Sequence, residues 1–169
     1  MRKPSMAYFF DTVTLSNFAL IGQLDLLIQR YGQRLKLTHE VLTELAEGII
    51  AGFGSLRTIE AAIDDGLICR ADPFVPPASR KTYSELLRVL GPVEASCIIQ
   101  AIAHGGVVVS DDRTARRHCA EQGIPVTGTI GILKACWQDG SITADEADEM
   151  LSKMIEAGFH SPVQSIVDL

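Results

Sequence analysis

Three consecutive valines, Val107 to Val109, follow Gly105 and Gly106 and run directly into Ser110, Asp111 and Asp112. A short run that is apolar at every position reads as a strand buried on both faces, which requires a sheet with helices over each side. The C-terminal ends of such strands are where open α/β sheets hold ligands. Two adjacent carboxylates stand at this one, and Arg113, Arg116 and Arg117 follow at once. The pattern is that of a metal site facing a polyanion. A single aspartate here serves as a helix N-cap, but a pair needs a second role.

The rest of the chain alternates in the same way. Ala7 to Phe10 reads as a strand ending in Asp11, and Thr12 to Asn17 as a polar turn. Phe18 to Ile28 then recurs at helical spacing until Gly32. Leu35 to Leu37 is a second strand, and Thr38 caps a helix carrying Val41, Leu42 and Leu45 on one face, with a glycine-bearing break at 48–54. A helix over Leu56 to Asp65 leads to a third strand, Leu67 to Arg70, and a proline-rich surface loop leads to a helix around Thr82 to Leu90. Pro92 opens a helix that is apolar on nearly every side, so Glu94 is a charge in the first turn of a core helix. After the valine strand come a helix from Asp112 to Gln122, an edge strand at Ile124 to Thr127, a helix over Ile130 to Gln138, and a capping box at Thr143 and Glu146. The expectation is an α/β fold with a doubly wound, mostly parallel five-stranded sheet and helices on both faces.

Composition narrows the function. The 169 residues carry a net charge of −6, which excludes nucleic-acid binding by bulk positive charge and leaves only local basic clusters. Apolar runs are too short to span a bilayer, and no signal-type segment opens the chain, so a cytoplasmic protein with no membrane partner is expected. Cys69, Cys97, Cys119 and Cys136 are widely separated without a Cys-x-x-Cys pair and read as reduced core residues. No glycine loop for phosphates and no nucleophile elbow around Ser110 is present.

The acids that remain are Asp11 at the first strand end, Glu44 on a helix, Glu94, and Asp111 with Asp112. A doubly wound sheet reverses near its first strand, which brings the ends of strands one and four together. Carboxylates converging there without an intervening Lys or Arg need a hard divalent cation, and oxygen ligands suit Mg²⁺ or Mn²⁺. The chemistry this points to is metal-assisted hydrolysis of phosphodiesters.

Phe10-Asp11-Thr12 with Leu15-Ser16-Asn17, Leu37-Thr38 with Glu44-Leu45, Leu90-Gly91-Pro92-Val93-Glu94-Ala95, Val109-Ser110-Asp111-Asp112, and Gly128 to Leu133 followed by Gly140-Ser141-Ile142 occur in an order that resembles the PIN-domain ribonucleases, in particular the toxin-like VapC-type members. The resemblance covers about residues 7–142. It implies a nuclease domain over 1–142, with 143–169 as a C-terminal helix and tail packed on the same domain. It further implies a Mg²⁺- or Mn²⁺-dependent endoribonuclease acting on RNA, the toxin of a toxin-antitoxin pair with a cognate antitoxin protein, and a homodimer. Asp11, Glu94 and one or both of Asp111 and Asp112 are then the metal ligands, and Glu44 completes the acidic quartet. Ser16 supports Asp11. Arg113, Arg116 and Arg117 are candidate contacts to RNA phosphates, with Arg80, Lys81 and Arg88 extending the track. His104 and His118 have no place in a metal-hydroxide mechanism.

Two rivals belong to other classes. One is a catalytically silent PIN-like module that binds RNA or protein. The other is an aspartate-nucleophile phosphatase, which needs a second Asp two residues after the first, where Val13 stands. At the end of the chain, Ser161 to Leu169 reads as a free tail or as a segment that docks on a partner, and the apolar-faced helix from Thr143 to Ala157 as part of a surface for a second copy or an antitoxin.

Overall fold

The computed structural model describes residues 5–169. Its strands are β1 (Tyr8–Phe10), β2 (Leu35–Leu37), β3 (Cys69–Arg70), β4 (Val107–Val109) and β5 (Val126–Thr127), in the order β3-β2-β1-β4-β5. All four pairings are parallel. The chain winds outward from β1 through β2 to β3, then crosses back to place β4 on the other flank of β1. The switch point lies between β1 and β4, where Tyr8 pairs with Val107, Phe9 with Val108 and Phe10 with Val109. Successive residues of a strand face opposite sides of a sheet. Phe9 and Phe10 are both buried, as are Val108 and Val109, so both faces of the central pair are covered.

The helices are α1 (Thr12–Leu20), α2 (Leu24–Tyr31), α3 (His39–Ile50), α4 (Arg57–Asp64), α5 (Arg80–Leu86), α6 (Pro92–His104), α7 (Arg113–Glu121), α8 (Thr129–Gln138) and α9 (Ala144–Glu156). Pro92 is the first residue of α6, which packs across β1 and β4, and β5 is an edge strand that the chain enters from Pro125. Cys97, Cys119 and Cys136 are buried thiols and Cys69 is half-buried, none of them in a disulfide.

Several local expectations are corrected. The polar stretch after Asp11 is helix, because Asp11 caps it and Thr14 and Asn17 turn inward. The apolar run from Phe18 to Ile28 is two helices, separated at Ile21 and Gly22. α3 continues through Gly48 to Ile50, where packing of Ile49 against the core offsets the helix cost of glycine. α5 starts two residues early, on the single turn of 3₁₀ helix at Pro77–Ser79, and ends at Leu86.

The capping box forms as read. The Glu146 amide donates to Thr143 Oγ1 at 3.2 Å, and the Thr143 amide donates to Glu146 Oε2 at 2.7 Å. Thr143→Ala is expected to lower the unfolding free energy by about 1 kcal/mol, measured as a shift in urea midpoint with an unchanged slope.

The last nine residues are not a free tail. The Ile166 amide donates to Asp148 Oδ1 at 2.6 Å and the Ser165 hydroxyl to Asp148 Oδ2 at 2.9 Å, which seats the fully buried Ile166 against α9. Ala147, Leu151 and Met154, the inner stripe of α9, are buried in the same core as Ile132, Leu133 and Ile142. That stripe is therefore covered by the chain itself.

Candidate active site

Asp11 follows the last residue of β1 and is 3% exposed. Its amide extends the ladder by donating to the Val109 carbonyl at 2.9 Å, and its Oδ1 accepts from the Thr14 amide at 2.8 Å, so it is strand end and N-cap of α1 at once. Burial pushes its pKa up to about 6; hydrogen bonds from Ser110 and Thr14 pull it down, and the charge of Asp111 adds to the rise. Thr14 and Ser110 thus hold the carboxylate. Ser16, expected in that role, makes no hydrogen bond to it among the described residues.

Asp111 and Asp112 leave the neighbouring end of β4 and take different roles. Asp111 Oδ1 accepts from the Thr129 amide at 2.9 Å, and Oδ2 accepts from the hydroxyls of Thr129, at 2.5 Å, and Thr14, at 3.2 Å. It ties β4 to the first turns of α1 and α8. Asp112 caps α7 through one oxygen, accepting from the Ala115 amide at 2.7 Å, while its own amide donates to Ser110 Oγ at 3.1 Å. The Asn17 side-chain amide donates to Thr129 Oγ1 at 3.0 Å and closes the network.

Glu94 enters from the first turn of α6. Its pKa is raised by partial burial first, countered by its own backbone amide, and raised further by Asp112 and Glu44. Asp11, Glu94, Asp111 and Asp112 line one cavity of about 300 Å³ together with Val13, Asn17 and Gly158 to His160. Glu44 stands outside it on the exposed side of α3, close enough to Glu94 for their charges to interact. The four lining acids ring the cavity. Among the described residues no three acids, histidines or cysteines are arranged to share an ion as they stand.

The donor set nevertheless fits a hard divalent cation by chemistry. It is all oxygen, it includes a buried carboxylate whose charge burial opposes, and none of the lining acids has a Lys or Arg ion-pair partner among the described residues. Asp11, Glu94 and Asp112 are the residues with carboxylate oxygens left over from the network, and Asp111 is the most committed.

A second cavity, of about 650 Å³, adjoins the first and shares Asp111, Phe159 and His160 with it. Arg113 and Arg116 line it, and Arg116 is anchored by donating to the Ser110 carbonyl at 3.0 Å. Arg117 lies on the exposed side of α7, 4.0 Å from Glu121, and lines neither cavity. Arg80, Lys81 and Arg88 are exposed around α5, also away from both. His118 borders neither cavity, and His104 ends α6 before β4 begins, at the opposite edge of the sheet.

Phe159 and His160 carry no local signal of function. They reach the site because Gly158, at φ +109°, reverses the chain after α9: its amide donates to the Ile155 carbonyl at 3.0 Å, and the Phe159 amide donates to Met154 at 2.9 Å. This is the paired hydrogen bonding of a Schellman cap, and only glycine takes that φ without strain. Thr14 and Thr129 likewise look like ordinary helix-start residues. The signal available for them was their place in motifs beside Asp11 and Gly128.

No helix among the described residues is long and apolar enough to cross a membrane. No curated protein matches the chain. The PIN-domain family model matches residues 7–168, which takes in every strand, both cavities and the C-terminal turn that closes them. With its all-parallel sheet and acids gathered where β1 and β4 end side by side, the chain belongs to the PIN-domain family.

Proposed function

We propose that the protein is a divalent-metal-dependent endoribonuclease that hydrolyses RNA phosphodiester bonds with Mg²⁺ or Mn²⁺. The observation that carries this reading is the convergence of Asp11, Glu94, Asp111 and Asp112 on one cavity at the switch point of the sheet, in a family whose members are generally nucleases. A bound divalent ion supplies an acidified water and a counter-charge for the phosphoryl oxygens. Asp11, Glu94 and Asp112 hold it, with Asp111 keeping the first turns of α1 and α8 fixed around them. Glu44, at the margin, adds negative field and draws cations toward Glu94. Arg113 and Arg116 hold the phosphates of the strand beside the reacting one.

The test is incubation of the full chain with a mixed RNA pool in Mn²⁺, in Mg²⁺ and in EDTA. Cuts in either metal and none in EDTA are expected; cutting that survives EDTA, or no cutting in either metal, overturns the reading. In the same reading the chain is a cytoplasmic toxin with a cognate antitoxin and acts as a homodimer. Induced expression is then expected to arrest growth, and an Asp11→Asn variant is not.

One observation favours a second reading, a catalytically silent module that binds RNA or protein. Both oxygens of the Asp111 carboxylate are engaged, by three donors in all, and the group does a structural job without a cation. RNA binding that is retained while no metal supports cleavage identifies that case.

A further inference from the structure

The cavity beside the acids is built unlike the acids' own. Its lining carries Arg113 and Arg116, neither with a carboxylate partner at ion-pair distance among the described residues. The same lining includes Phe159, Pro162 and Ile130, an aromatic ring and two apolar side chains with no charge among them. His160 lies at the boundary and lines both cavities. Cations and an aromatic ring lining one cavity are what an unpaired nucleotide requires, since its phosphate takes the guanidiniums and its base has a flat face to stack. An acidic peptide matches the arginines but leaves the ring without a partner. Phe159 also has a structural role as the residue after the Gly158 turn, packed partly against the core. A leucine satisfies that role equally well, whereas stacking needs the ring.

We propose that Phe159 and His160 form a base-holding subsite. One unpaired nucleobase stacks on Phe159 and is bordered by His160, its phosphate sits on Arg113 and Arg116, and the next phosphodiester is thereby aimed into the acid cavity. The proposal takes its ligand, RNA, from the nuclease reading, but it concerns binding and is tested apart from cleavage.

The experiment uses the full chain in EDTA and a short unpaired RNA carrying 2-aminopurine, whose fluorescence is quenched on stacking. Wild-type protein is expected to quench the probe. Phe159→Leu, which keeps the apolar contact at the end of α9, is expected to abolish quenching and weaken binding about tenfold, the low end of what one stacked base contributes. Phe159→Trp restores both, and His160→Ala weakens binding by a smaller factor. An oligonucleotide abasic at the probe position binds the wild type about as weakly as the intact probe binds Phe159→Leu. In metal, Phe159→Leu raises KM by that same factor of about ten and leaves kcat in place. Wild-type quenching and affinity in Phe159→Leu overturn the subsite even if the protein cuts RNA. Ring-dependent quenching in a protein that cuts nothing upholds the subsite and removes the nuclease.

Discussion

Asp11→Asn is expected to lower metal-dependent RNA cleavage on the order of a thousandfold while making the metal-free protein more stable at neutral pH. The rate effect follows from removing the most buried of the acids that line the cavity, 3% exposed at the end of the central strand. The stability effect follows from its pKa of about 6, raised first of all by burial. Unfolded, the carboxyl titrates near pH 4, so between about pH 4 and 6 the native state holds a proton that the unfolded state has released. Stability therefore falls as pH rises through that window, by about 2 to 3 kcal/mol in total, and the loss is complete above pH 6. Asparagine keeps an oxygen to accept from the Thr14 amide and carries no charge to bury. Thermal melts in EDTA are expected to show the variant above wild type at pH 7.5 and level with it below pH 4. Mn²⁺ then raises the melting temperature of the wild type alone. A variant less stable than wild type at pH 7.5 in EDTA contradicts the burial account.

Gly128→Ala is expected to cost activity about a hundredfold and stability about 1 to 3 kcal/mol. A Cβ at Gly128 collides with Asp111 Oδ1 and stands 3.0 Å from the Ser110 carbonyl and 3.1 Å from an Arg116 guanidinium nitrogen. The backbone at 128 has no unusual φ, so the cost is one of space. Asp111 cannot swing aside without leaving the Thr129 amide and the Thr14 hydroxyl, and the Arg116 anchor on Ser110 sits against the same point. One methyl group thus disturbs an acid of the first cavity and an arginine of the second together. Urea unfolding and steady-state cleavage on the same sample check both parts; an alanine variant with wild-type rates and midpoint shows that this junction is looser than its distances.

What could be read from the sequence was carried by signals that act within a few residues. The triple valine of β4, proline at the start of α6, the capping box of α9 and the edge position of β5 that Pro125 signalled all appear as expected, though β5 itself begins only at Val126. Each is a cap, a ring constraint or a run of side chains, so the energy that decides it is local. The placement of Asp11 beside Asp111 was also legible, because an alternating strand-helix chain has few ways to wind and its switch point gathers strand ends.

The polar run from Thr12 to Asn17 misled for a physical reason. Its hydroxyl and amide groups signal a turn when nothing is known of their partners, yet in the fold Thr14 donates to Asp111, 97 residues away, and Asn17 to Thr129, 112 residues away. Polarity there serves the site and leaves the helix free to form. The division of labour between Asp111 and Asp112 was equally closed to sequence reasoning, since it depends on Thr129 arriving with α8. So was the return of the C-terminal segment, pinned by Asp148 and turned by Gly158, that sets Phe159 and His160 over the cavities. The order of strands and helices, the caps at Thr38 and Thr143 and the acids at the strand ends could be read along the chain. The tertiary structure decided which carboxylate is held by its neighbours and which residues complete the cavity, because those contacts join segments that meet only after the parallel sheet has closed its long loops.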